Sequence, residues 1–196
     1  MDIGATLFST GWASGVNAYA TVALLGILGR TGAADVPEQL TGTVVIAIAL
    51  TMFAIEFVTD KVAYVDSAWD SVHTLIRPAI GAWLGALFAG DDGGSVSQAA
   101  GAAGAGTTAL ASHTVKAGLR ILINTMPEPL SNIAVSLTED GLVAVVVSFI
   151  VSNPVVAFAI AATLLTSGIL LLVVLYRRLL AGIARIRERR ARGGHP

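Results

Sequence analysis

Apolar residues along this chain come in long blocks, and polar residues fall either between the blocks or in tight groups inside them. A membrane-spanning helix needs about 20 consecutive apolar residues. Six blocks approach that length: from about Ile3 to Gly29, from Leu40 to about Asp60, a short one from Pro78 to Ala89, from about Val96 to Ile123, from Leu130 to Val151, and from Pro154 to Tyr176. The pattern predicts an all-α, polytopic membrane helix bundle of about six transmembrane helices. Asp91-Asp92-Gly93-Gly94 and Ser152-Asn153-Pro154 mark turns between blocks, because Gly and Pro interrupt a helical run.

Composition agrees with the pattern. Of 196 residues, 55% are hydrophobic and 13% charged, and the mean hydropathy is +0.77, which is too apolar for a domain with a polar exterior. There is no cysteine, so disulfides, thiolate ligands and a cysteine nucleophile are excluded, and His, Asp, Glu, Lys and Arg must carry any chemistry. No Walker loop, dinucleotide-binding glycine fingerprint, HExxH or GxSxG occurs. The first residues lack the basic region of a cleaved signal peptide and are expected to join the first helix.

Net charge of −1 conceals an asymmetry, since seven arginines (177, 178, 185, 187, 189, 190 and 192) fall within the last twenty residues. Basic flanks stay in the cytoplasm. With six crossings, both ends of the chain are expected there, in a bacterial inner membrane. The chain divides into a single transmembrane domain over 1–178 and a basic cytoplasmic tail over 179–196. Leu179, Leu180, Ile183 and Ile186 among the arginines give the tail an amphipathic pattern suited to anionic lipid, and not to nucleic acid.

Two short runs echo each other: Pro37-Glu38-Gln39-Leu40-Thr41-Gly42 and Pro127-Glu128-Pro129-Leu130-Ser131-Asn132. If they mark equivalent places, residues 3–90 and 95–177 form two three-helix units, and the second must be inverted in the membrane, as in many secondary transporters. The alternative is that Pro-Glu opens two unrelated helices.

The charged groups are the candidate chemistry. From Thr43 to Arg77 there is neither Gly nor Pro, which predicts that the second helix continues past the membrane surface. At 100° per residue Glu56, Asp60, Asp66, Asp70, His73 and Arg77 then share an arc of roughly 140°. Glu56, Asp60, Asp66, Asp70 and His73 offer hard ligands for Mg²⁺, Mn²⁺ or Zn²⁺, with Arg77 to bind phosphate, or they could pass protons. On the plainer expectation Ser67-x-x-Asp70 is a capping box, Asp66 and Asp70 sit at the water interface, and Trp69 and Tyr64 join the interfacial aromatic belt.

Deeper in the expected bilayer, Glu139 and Asp140 fall midway along the fifth block, where two adjacent acids cost several kcal/mol, on the order of what an intramembrane charge costs, without a wet cavity or cationic partners. Lys116 and Arg120, four apart on the fourth block, with His113 one turn earlier, are the evident partners. The first block carries Gly11-Trp12-Ala13-Ser14-Gly15-Val16-Asn17-Ala18-Tyr19. Gly11 and Gly15 predict a close helix contact, and Asn17 predicts a helix interruption that lines a polar path. The small residues of AAGAAGAG in the fourth block predict another packing seam.

GWASGVNAYATVALLG, EFVTDKVAYVDSAWDSVHTLIRP and SHTVKAGLRILINTMPEPLSN together resemble a bacterial family of small membrane proteins catalogued as a domain of unknown function, over about Gly11 to Tyr176. The resemblance implies a membrane fold and brings no activity or ligand. The residues themselves suggest a small transporter or channel, coupled to a cation or proton, with a small anionic solute or a lipid headgroup as passenger and a homo-oligomer possible. Its path would be lined by Asn17, Glu56, Asp60, His113, Lys116, Arg120, Glu139 and Asp140. The alternatives are an intramembrane metal-dependent enzyme acting on a phosphorylated lipid, with a divalent cation as cofactor, and a non-catalytic membrane scaffold.

Overall fold

The computed structural model describes residues 2–124 and 129–192. Among them the chain is a bundle of six helices without strands: α1 (Ile3–Arg30), α2 (Thr43–Thr59), α3 (Ala63–Asn124), which folds back on itself at Gly94 into two arms, α4 (Pro129–Ser152) and α5 (Pro154–Arg192). A single 3₁₀ turn, Glu38–Leu40, precedes α2. Gly94 adopts φ +66°, a left-handed conformation open to glycine and strained for other residues, and this reverses the chain where the sequence predicts a turn. The second Pro-Glu pair, Pro127-Glu128, lies outside the described residues, as do the side chains of Tyr64, Asp91 and Asp92.

Four stretches are long and apolar enough to cross a membrane: Ile3–Arg30, Val65–Gly90, Asn132–Ser152 and Pro154–Arg185. The third block is therefore not short. Its helix starts fifteen residues before Pro78, and the proline sits inside it, where its missing N–H frees the Thr74 carbonyl. The helix expected to run unbroken from Thr43 to Arg77 is instead two. Asp60 ends α2, and turn bonds from Lys61 N–H to the Val58 carbonyl and Val62 N–H to the Thr59 carbonyl break the helix there without any Gly or Pro. The second arm of α3 falls below the other spans in hydropathy because Gly, Ala, Ser and Thr replace Leu and Val; α5 continues as one helix past Tyr176 through the basic residues to Arg192.

The core is the pairing of α1 with the two arms of α3. A methyl added at Gly11 would sit 2.9 Å from Thr108 Cβ, and one at Gly15 would strike Ser112 and the Ala109 carbonyl. Between the arms, Gly85 lies against Gly101 and Ala105, and Gly81 against Ala109. The expected seams are both present, and each depends on the absence of a Cβ.

These contacts also give the direction of each helix. Gly11, Gly15 and Val16 of α1 meet Ala105, Ala109 and Lys116 in turn, so α1 runs parallel to the second arm of α3. So does α5, whose Gly168 and Leu172 meet Val115 and Gly118. Ile3 and the basic tail thus lie at opposite ends of the bundle, whereas six alternating crossings would have placed them together. The cause is α2, only 17 residues long, about 26 Å at 1.5 Å per residue. It starts beside Gly26, ends at the buried Asp60, and runs the same way as the arm of α3 that follows it. The first helices of the two units expected from the echo, α1 and the second arm of α3, are parallel, and an in-plane two-fold would make them antiparallel.

Candidate functional site

Asn17 interrupts α1. Its backbone leaves the helical region (φ −148°, ψ 98°), and its side chain caps the segment that follows, Oδ1 accepting from Ala20 N–H at 2.9 Å. Ala20 N–H would otherwise bond the Val16 carbonyl. Freed in this way, Val16 O accepts from Lys116 Nζ at 3.0 Å. The break therefore presents the negative end of one half-helix to a cation, and the Asn17 amide donates to Asp140 Oδ1 at 3.0 Å.

Around Lys116 acids from two separate blocks come together. Its Nζ stands 3.0 Å from Asp60 Oδ2, 3.6 Å from Glu139 Oε2 and 3.7 Å from Glu56 Oε1. One turn further, Arg120 meets Glu139 at 2.9 Å, Asp60 at 3.6 Å and Asp66 at 3.9 Å, and it also donates to Asn132 Oδ1 and to the Asp60 carbonyl.

Arg77 bridges Glu56 at 2.7 Å and Asp70 at 3.1 Å. It also donates to His113 Nδ1 at 2.8 Å, so the His113 proton resides on Nε2, 3.2 Å from both the Asp70 carbonyl and Thr74 Oγ1. His73 has the opposite tautomer. Its Nδ1 donates to the Trp69 carbonyl at 2.8 Å, and Nε2 accepts from the Tyr19 hydroxyl at 2.9 Å, with the Trp69 ring stacked on the imidazole.

Asp66 and Asp70 are thus buried partners of Arg120 and Arg77, not interfacial charges, and Trp69 packs on His73. Arg77 has no exposed surface, and two carboxylates and an imidazole surround its two terminal nitrogens, so a phosphate could reach it only by displacing them. Among the described residues no three His, Asp or Glu side chains converge as a metal-binding group. Glu56, Asp60, Asp66, Asp70 and His73, the donor set suggested for a divalent cation, are spread along a network centred on cations instead. Lys61 folds back over the Phe57 ring, 3.1 Å from its centroid, and donates to the Phe57 carbonyl.

The sequence brought forward every charged member of this network. It missed the neutral ones, Tyr19, Ser112 and Asn132, which complete it by bonding His73, the Trp12 carbonyl and Arg120. Tyr19 and Asn132 stood inside conspicuous polar blocks, and that was the available signal.

Among the described residues, four carboxylate oxygens inside the cluster have neither a hydrogen-bond nor an ion-pair partner: Glu56 Oε2, Asp60 Oδ1, Asp70 Oδ2 and Asp140 Oδ2. Two cavities reach it. A polar one of about 170 Å³ lies between the arms of α3, beside Asp70, Thr74 and Arg120. A larger one of about 820 Å³ lies between α3, α4 and α5 and touches Glu139. Arg120 and Glu139, bonded to each other, separate the two.

No curated protein and no solved structure matches the chain. Residues 5–174 match the family described as a domain of unknown function, DUF4126; with most of the chain covered, and the apolar helices and buried ionic centre just described, this is a membrane protein belonging to that family.

Proposed function

We propose that this protein is a small transporter or channel that carries protons, or another monovalent cation, through its buried ionic centre. One observation carries the proposal. Six carboxylates (Glu56, Asp60, Asp66, Asp70, Glu139 and Asp140) share the centre with three permanent cations, Arg77, Lys116 and Arg120. Were all ionised, the cluster would hold three uncompensated negative charges in a helix bundle, a state costing several kcal/mol, roughly the penalty of even one intramembrane charge. Protons or bound cations remove that cost. The partnerless oxygens of Glu56, Asp60, Asp70 and Asp140 are where they would reside.

The helix break at Asn17 supports the same reading, since transporters place substrate and ion sites at such breaks. Two cavities meeting at one bonded pair, Arg120 and Glu139, bring open space to the edge of the centre. Each of the three cations already faces carboxylates, so the geometry favours a cationic traveller over a small anionic solute or a phosphorylated headgroup. The positive-inside tendency favours the cytoplasm for the arginine-rich end of the bundle, and so the far side for Ile3 at the opposite end.

The test is flux through the full chain reconstituted in liposomes carrying a pH-sensitive dye and an imposed potential. Proton or monovalent-cation movement should exceed that of empty vesicles, fall at least tenfold in Asp60→Asn, and persist in Glu38→Gln, which alters an exposed acid outside the bundle. Flux no greater than in empty vesicles, with Asp60→Asn lowering thermal stability, would make the cluster a structural device and end the proposal.

A further inference from the structure

The larger cavity differs in chemistry from the centre it touches. Its walls are hydrocarbon, from Leu122, Leu142, Leu164, Leu171 and Leu175, and among the described residues a single ionisable side chain, Glu139, lines it. Glu139, like its neighbour Asp140, is also only partly buried: its side chain is 17% exposed, against 3% for Lys116 and 1% for Arg120. A guest in this groove therefore meets a carboxylate and an apolar wall, while both neighbouring cations lie behind that carboxylate.

Glu139 is also the member whose partners can spare it. If it turned toward the groove, Lys116 would keep Asp60 at 3.0 Å and Glu56 at 3.7 Å, and Arg120 would keep Asp60 and Asp66. Turning outward breaks two ion pairs without leaving either cation unpaired, so the cluster can lend this charge to a ligand at modest cost. A volume of about 820 Å³ falls in the range of small-molecule sites, which lies at roughly 300–1,000 Å³.

We infer that the groove between α3, α4 and α5 binds a lipophilic organic cation, a delocalised or quaternary charge carried on aromatic or aliphatic bulk, with Glu139 as its counter-ion. The charge complementarity selects this occupant over an anionic lipid, whose headgroup would meet Glu139 before any cation. The inference rests on the transport proposal only in naming a passenger for it, and binding is measured without flux.

The experiment is equilibrium binding of radiolabelled tetraphenylphosphonium to the purified full-length protein in detergent, with excess unlabelled compound as competitor. Saturable binding near one per chain is expected. It should weaken at least tenfold in Glu139→Gln and in Leu171→Trp, which fills the groove from a half-exposed wall position, and remain unchanged in Glu38→Gln. Tetraphenylborate, of the same shape and opposite charge, should not compete. Leu171→Trp decides the matter if Glu139→Gln does not stay monodisperse. Unsaturable binding, wild-type binding in both groove variants, or equal competition by tetraphenylborate overturns the inference. Displacement by phospholipid that is the same in wild type and Glu139→Gln overturns it too, and assigns the groove to an acyl chain. Flux of protons with no tetraphenylphosphonium binding would leave the transport proposal standing and remove only this passenger.

Discussion

The same two helices, α1 and the second arm of α3, hold the bundle together at both of its ends by different physics. From Gly11 to Gly15 they touch through glycine and alanine, and the backbones come as near as the lack of side chains allows. A single turn onward Lys116 donates to the Val16 carbonyl, and the flanking Asn17 and His113 bond Asp140 of α4 and Arg77 of the first arm of α3. The small-residue end has many neighbours and little tolerance for added volume. At the ionic end volume matters less than partners, because each removed charge strands another in a medium that cannot solvate it.

Substitutions at the two ends should separate these rules. The largest effect is expected from Arg77→Met, which leaves Glu56 and Asp70 buried without their cation and should cost about 3–5 kcal/mol. Thermal melting of the detergent-solubilised protein reads this, and Arg77→Met combined with Glu56→Gln and Asp70→Asn should recover most of it. Gly15→Leu comes next, at about 1–3 kcal/mol of overpacking against Ser112 and Ala109. Asn17→Ala removes a cap and the bond to Asp140, and roughly 1 kcal/mol should follow from the cap alone. Gly104→Ala is the smallest. That glycine has open space on its helix, and melting should move by no more than about 0.5 kcal/mol in either direction. An Arg77→Met protein that melts like Gly104→Ala would erase the distinction between the two ends.

Much of this was legible in one sequence. The blocks gave the helices, the doublet Glu139-Asp140 with Lys116 and Arg120 gave the heart of the site, and Asn17 among glycines gave the break in α1. Depth and direction were not. Asp66 and Asp70 follow an apolar block, so counting residues places them at the surface; the structure buries them because α3 begins beside Arg120 and not beyond it. Arg77 precedes a proline and was expected where the second helix ends. It is inside a helix that a proline does not stop, since neighbouring helices enclose the irregular backbone. The break at Asp60 to Val62 carries no Gly or Pro to announce it, and because the arm that follows runs the same way as α2, it changes the parity of the chain's path.

That parity has an experimental consequence. Reporters inserted beside Ile3 and after Arg192 would read two different compartments, because α1 and α5 point the same way. An impermeant thiol reagent added to intact cells would then label a cysteine introduced next to one of these residues and spare the other. A chain wired in this manner cannot be symmetrical across the bilayer, so the two faces are free to present unlike surfaces to whatever approaches them.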